Sequence, residues 1–116
     1  MNPAKERLVI FSIFSILFVH IIACIWIFFG YYNWSDDGLS ESWIEIFGFG
    51  NADMTEMYMI GLYWTITTIT TVGYGDISAT NGIERIIACM IMIIGVIAFS
   101  FSTGALSSMI SSEDSR

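Results

Sequence analysis

Positive charge is nearly missing from this sequence. Its 116 residues include only 4 lysines and arginines against 11 aspartates and glutamates, for a formal net charge of −7. Between Arg7 and Arg85 there is no lysine or arginine, while Asp36, Asp37, Glu41, Glu45, Asp53, Glu56, Asp76 and Glu84 fall in that interval. No basic patch exists to hold a nucleic acid; an acidic face of this kind attracts cations instead. Charge of either sign is scarce. Charged residues make up 13% of the chain and hydrophobic ones 55%, whereas a water-soluble surface usually carries about a quarter charged residues. With a mean hydropathy of +0.70, the composition is that of a membrane protein. The two cysteines, Cys24 and Cys89, lie inside apolar runs, so a disulfide framework is not expected and two buried or lipid-facing thiols are. No nucleophile–base pair, metal cluster or motif for ATP hydrolysis stands out, which argues against an enzyme and leaves no cofactor to assign.

What is present is two long apolar runs. Leu8 to Phe29 is interrupted only by Ser12, Ser15 and His20. At 1.5 Å per residue it reaches roughly 33 Å, enough to cross a hydrocarbon layer of about 30 Å. A secretory signal would be shorter and would end in small residues; this run ends in Trp26-Ile27-Phe28-Phe29. Ile86 to Ile110 is the second run, within an inner span drawn at 83–112. Gly95 and Gly104 interrupt it, and small residues fill its second half, as suits close helix packing in a membrane. Residues 30–53 form a loop, aromatic at first (Tyr31, Tyr32, Trp34) and then acidic. Within it Ser42 to Phe47 suits a short interfacial turn, and Asn33-Trp34-Ser35 is a formal glycosylation sequon set too close to the membrane to favour use. Met54 to Thr70 reads as a half-length helix. Its β-branched end, Ile66 to Val72, would favour a strand, but a lone strand could not satisfy its backbone in a bilayer. Lys5 and Arg7 place the N-terminus in the cytoplasm by the positive-inside rule. Two spans bring the C-terminus back to the same side, and the acidic loop then faces outward.

Between the half-helix and the second span lies Thr70-Thr71-Val72-Gly73-Tyr74-Gly75-Asp76. Two glycines, two residues apart, allow the backbone to alternate between left- and right-handed regions. Such a ribbon can point successive carbonyls to one side.

This stretch, placed between two spans, resembles the filter of the potassium-channel family, whose Thr-Val-Gly-Tyr-Gly loops replace the hydration shell of K⁺ with carbonyl oxygens. The resemblance implies an all-α membrane fold: outer helix (8–29), re-entrant pore helix (54–70), extended filter (71–76) and inner helix, assembled as a homotetramer in the plasma membrane. It implies that Thr71, Val72, Gly73 and Tyr74 coordinate K⁺ through their carbonyls, with the Thr71 hydroxyl and Gly75 completing the filter. Thr70, Asp76, Tyr63 and Trp64 would support it, Trp64 by bracing Tyr74. Some family members carry a glutamate behind the filter; Thr67 stands there in this chain, so a carboxylate bond to Asp76 is not expected. Gly95, 22 residues after Gly73, falls at the family's inner-helix hinge, although a close-packing contact would explain it equally well. Ser100, Thr103, Gly104, Ala105 and Ser107 are candidates for a gate region.

His20, Cys24 and Trp26 make a His-x-x-x-Cys-x-Trp pattern similar to the outer pore helix of the cyclic-nucleotide-gated and ether-à-go-go-like superfamily. Ile83-Glu84-Arg85, Ser102-Thr103-Gly104 and Met109-Ile110 are similar too. In that superfamily the pore follows a voltage-sensor-like bundle and precedes a cyclic-nucleotide-binding domain. Neither is present in this sequence, and its abrupt ends suggest a pore taken from a longer chain. A non-selective cation channel and a non-conducting regulatory subunit are the alternatives to a potassium pore.

Overall fold

The computed structural model describes residues 3–32 and 41–114. The sequon at Asn33–Ser35 and the chain's last two residues lie outside them. Four helices follow in order: α1 (Pro3–Tyr32), α2 (Trp43–Ile46), α3 (Met54–Ile69) and α4 (Gly82–Asp114). Among the described residues there is no strand.

Helices α1 and α4 contain the two apolar runs and extend beyond them at both ends. Each carries a 30-residue stretch apolar enough to cross a membrane, and the rest of the chain buries only 11% and 17% of their most apolar windows. Core helices of a soluble protein would be largely covered, so these surfaces are left for lipid or for neighbouring subunits. A helix is what such a stretch must form in hydrocarbon, because it satisfies every backbone group internally. At 33 residues, α4 measures about 50 Å and exceeds the thickness it has to cross.

The short elements are set by side-chain caps. Ser42 caps α2: its hydroxyl accepts from the Ile44 amide at 3.2 Å and donates to the Gly30 carbonyl at 2.6 Å. One hydroxyl thus starts one helix and occupies an end carbonyl of another. Asp53 caps α3 by accepting from the Glu56 amide at 2.8 Å, and Asn81 Oδ1 accepts from the Glu84 amide at 3.0 Å at the start of α4. At its other end α3 stops one residue short of the 54–70 range. Thr70 is its cap, with φ −82° and ψ 4°. The β-branched tail is helical as far as Ile69 despite its strand propensity, because the helix closes its own hydrogen bonds.

The core gathers where α1, α2 and α3 meet. Trp26 stacks face to face on Trp64, with centroids 3.8 Å apart and planes within 5°, and on its other side lies 5.4 Å from Trp43 at 14°. All three indoles are buried, together with Ile44, Met57 and Ile69. Ala88 and Ile91 of α4 close the cluster. Two glycines let the elements approach. A Cβ on Gly30 would fall 2.4 Å from Trp43 Nε1, and one on Gly61 would fall 2.5 Å from Ile27 Cδ1. Gly61→Ala gains about 1 kcal/mol of helix propensity, but overpacking of this kind costs about 1–3 kcal/mol. We expect a net loss of thermal stability in detergent, read from a melting curve. A melting point equal to or above that of the parent would show that Ile27 yields freely.

Candidate functional site: the ribbon after the re-entrant helix

Helix α3 hands the chain to the ribbon through a compact set of bonds. The Thr70 amide reaches the Ile66 carbonyl at 3.0 Å, the Thr71 amide reaches Thr68 at 3.2 Å, and the Gly73 amide reaches back to Thr67 at 3.1 Å. The Thr70 hydroxyl also donates to Ile66 O, at 2.6 Å. The base of the ribbon is therefore tied to the last turn of the helix.

From there the backbone alternates. Thr71, Gly73 and Gly75 have φ of +65°, +56° and +79°, and Val72 and Tyr74 between them do not enter the positive region. A Cβ built on Gly73 or Gly75 meets nothing within 4 Å. Glycine is needed there for its backbone freedom and not to avoid a neighbour. Thr71 goes further, since a β-branched residue in the left-handed region costs on the order of 1–2 kcal/mol. The ribbon touches little else in its own chain: Val72 is 53% and Tyr74 71% exposed.

Tyr63 and Asp76 meet across the outer end. The Tyr63 hydroxyl donates to Asp76 Oδ2 at 2.6 Å. This bond raises the Tyr63 hydroxyl above its ordinary value of 10.0, with desolvation and the Asp76 charge adding to it. A raised tyrosine favours the neutral donor. The bond is fully present below the ordinary tyrosine range and is lost only as pH rises through the higher folded value. Tyr63→Phe removes the donor and leaves Asp76 untethered. We expect amide hydrogen exchange around Asp76 to run faster in the variant than in the parent at neutral pH, because the bond that holds its carboxylate is gone. Identical time courses for both proteins would discount the tether. The Thr67 hydroxyl donates to the Trp64 carbonyl at 3.0 Å.

The other expected site residues have these surroundings. Trp64, expected to brace Tyr74, stacks one face on Trp26. Gly95 packs against the last residue of α3, where an added Cβ would be 3.1 Å from Ile69 Cγ1. Thr103 donates to the Phe99 carbonyl at 2.9 Å. With Thr70, Ala105 and Ser102 it lines a groove of about 840 Å³ between α1, the end of α3 and α4. Ser100, Gly104 and Ser107 are exposed on α4. His20 packs on α3, with Nδ1 2.5 Å from the Tyr58 hydroxyl, and Cys24 and Cys89 are free thiols. Among the described residues no three metal-ligating side chains cluster.

Sequence reasoning passed over two features near the ribbon. One is the stack of three tryptophans, which no local pattern links. The other is the burial of Glu84 at the top of α4: the sequence marks it within Ile83-Glu84-Arg85 and by the Asn81-x-x-Glu84 spacing of a helix cap, but neither signal shows that it is enclosed.

A pair of lipid-length helices around a re-entrant helix and an alternating ribbon is the architecture of a membrane pore. Residues 8–112 match the family described as "Ion channel", and this protein belongs to that family: it is a membrane channel subunit and not an enzyme. Its relatives include potassium channel KAT4 of Oryza sativa subsp. japonica, 28% identical over 115 residues that make up 99% of this chain and 19% of that protein. The potassium voltage-gated channel unc-103 of Caenorhabditis elegans is 28% identical over 120 residues, covering 92% of this chain and 14% of that one. The human voltage-gated delayed rectifier potassium channel KCNH8 is 28% identical over 120 residues, covering 90% and 11%. The chain thus spans between about a tenth and a fifth of the length of these three proteins.

Proposed function

We propose that this chain is the pore subunit of a potassium-selective channel that conducts K⁺ passively, with Thr71, Val72, Gly73, Tyr74 and Gly75 as its share of the filter. The alternation of positive φ at Thr71, Gly73 and Gly75 carries the proposal. It is the backbone that turns successive carbonyls to one side, in a sequence identical to the potassium-filter motif.

One ribbon supplies one side of an oxygen ring, so the working unit is a homotetramer. The exposed Val72 and Tyr74 side chains and the uncovered flanks of α1 and α4 are available for the neighbouring subunits and for lipid. Helix α3 ends at Ile69, at the inner end of the ribbon. The negative end of its dipole favours a cation in the cavity beneath. With Lys5 and Arg7 on the cytoplasmic side, both termini are cytoplasmic, the acidic outer loop faces outward, and the plasma membrane is the site of action. Gly95 is the candidate hinge, and Ser100, Thr103, Gly104 and Ser107 border the candidate gate. In a longer parent chain a voltage-sensor-like bundle would precede this pore and a cyclic-nucleotide-binding domain would follow it, as the superfamily resemblance implies.

The test is cation flux through the purified chain in liposomes, with reversal potentials in mixed potassium and sodium. Potassium-selective flux is expected. Equal passage of sodium would make the protein a non-selective cation pore, and silence would make it a non-conducting subunit; either result defeats the proposal.

A further inference from the structure

Glu84 is fully buried, and a carboxylate is not buried without several donors. Its donors come from two directions. The Trp43 amide, at the start of α2, lies 3.1 Å from Oε2 and 3.3 Å from Oε1. The Thr80 amide lies 3.1 Å from Oε1, and so does the Thr80 hydroxyl. That hydroxyl has one proton, divided between Glu84 and the Glu41 carbonyl, which it also reaches. Asn81 Nδ2 donates to the same Glu41 carbonyl at 3.2 Å. One carboxylate therefore joins three pieces: the helix of the outer loop, the segment leaving the ribbon, and the first turn of α4.

The location gives the junction its meaning. Thr80 is four residues past Asp76. The ribbon's outer end is tied to the re-entrant helix at Asp76 through Tyr63, and the segment that follows it is tied to the outer loop at Thr80 through Glu84. Trp43, which supplies the amide, is also an outer member of the tryptophan stack that joins α1 to α3. The far side of the ribbon is thus anchored to the rigid part of the molecule through one side chain.

We propose that Glu84 is a positioning residue for conduction: it holds the outer end of the ribbon in its ion-binding shape by tying Thr80 to Trp43. This rests on the potassium-pore reading above. A surface role is excluded by the burial, and a purely local cap would not need the Trp43 amide, 41 residues away in sequence. When the tie is cut, the outer end of the ribbon should relax during conduction, and K⁺ bound in the ribbon should oppose that relaxation by mass action.

The test compares the parent with Glu84→Gln, Thr80→Val and Glu56→Gln as assembled channels in liposomes or planar bilayers. Glu84→Gln keeps the shape but turns an amide donor toward N–H groups. Thr80→Val removes one donor and leaves Glu84 in place. Glu56→Gln removes an equal charge from the exposed start of α3 and controls for surface electrostatics. For Glu84→Gln, current should decline during sustained opening roughly tenfold faster than for the parent, the scale of one charge-assisted hydrogen bond. Thr80→Val should show a smaller effect of the same sign, and Glu56→Gln none. Raising external potassium should slow the decline in both tie variants, a rescue that a general folding defect would not show. Parent-like decline in Glu84→Gln and Thr80→Val overturns the inference. So does a defect that external potassium leaves untouched, or failure of both variants to assemble. A parent that passes no potassium overturns the pore reading itself, which separates the two failures.

Discussion

With the ribbon as the proposed potassium filter, replacing Gly73 with alanine is expected to abolish potassium-selective conduction while leaving the assembly folded. Gly73 holds φ at +56°, and a Cβ there would meet nothing within 4 Å. Crowding is not the problem; the backbone region is. An L-residue in it costs about 1–2 kcal/mol, and a fourfold ring would bear that cost four times, about 4–8 kcal/mol. The chain can escape the strain by rotating the 72–73 or 73–74 peptide, which would turn a carbonyl away from the ion path. Gly48 provides the internal comparison. It has φ +78°, also with nothing within 4 Å of an added Cβ, but it lies in the outer loop. Gly48→Ala carries the same backbone strain away from the ions and should keep selectivity. The measurement is the potassium–sodium reversal potential of each variant beside the parent. If Gly73→Ala remained selective, the ribbon would not be the ion path.

The second large effect concerns stability. Trp26→Ala should cost about 3–5 kcal/mol per chain, the usual range for removing a buried tryptophan, and should dissociate or unfold the assembly in mild detergent. Trp26 lies between Trp43 and Trp64, so its loss opens a void between two rings and frees α2 from α3. Trp26→Phe should cost much less. It keeps an aromatic face in the stack and removes an indole N–H that is buried with no hydrogen-bond partner among the described residues, a group that itself costs about 1–3 kcal/mol to leave unsatisfied. Thermal melting followed by size-exclusion chromatography distinguishes the pair. Equal losses for Ala and Phe would show that the stack does not join the helices.

Much of this architecture could be read along the chain. The two apolar runs, the half-length helix and the glycine spacing at Gly73 and Gly75 are local signals, each resting on a few consecutive residues. The spans proved longer than the apolar runs because helices continue into polar flanks such as Lys5 and Arg7, where hydropathy falls but helix formation does not. What stayed hidden depended on residues far apart in sequence. The family resemblance assigns Trp64 to bracing Tyr74, but nothing along the chain shows that Trp26, 38 positions earlier, stacks on it. Ile83-Glu84-Arg85 marks a superfamily likeness along the chain, but nothing local shows that Glu84 accepts from the Trp43 and Thr80 amides. The left-handed Thr71 was equally out of reach, because a β-branched side chain gives no hint of positive φ.

The indole stack also makes the molecule report on itself. Three of its four tryptophans belong to that stack, with one pair of rings nearly parallel at 3.8 Å. Chromophores so close couple their electronic transitions, so near-ultraviolet circular dichroism should be dominated by the register of α1, α2 and α3. A change in that signal would register loosening at the outer end of the pore with no label attached.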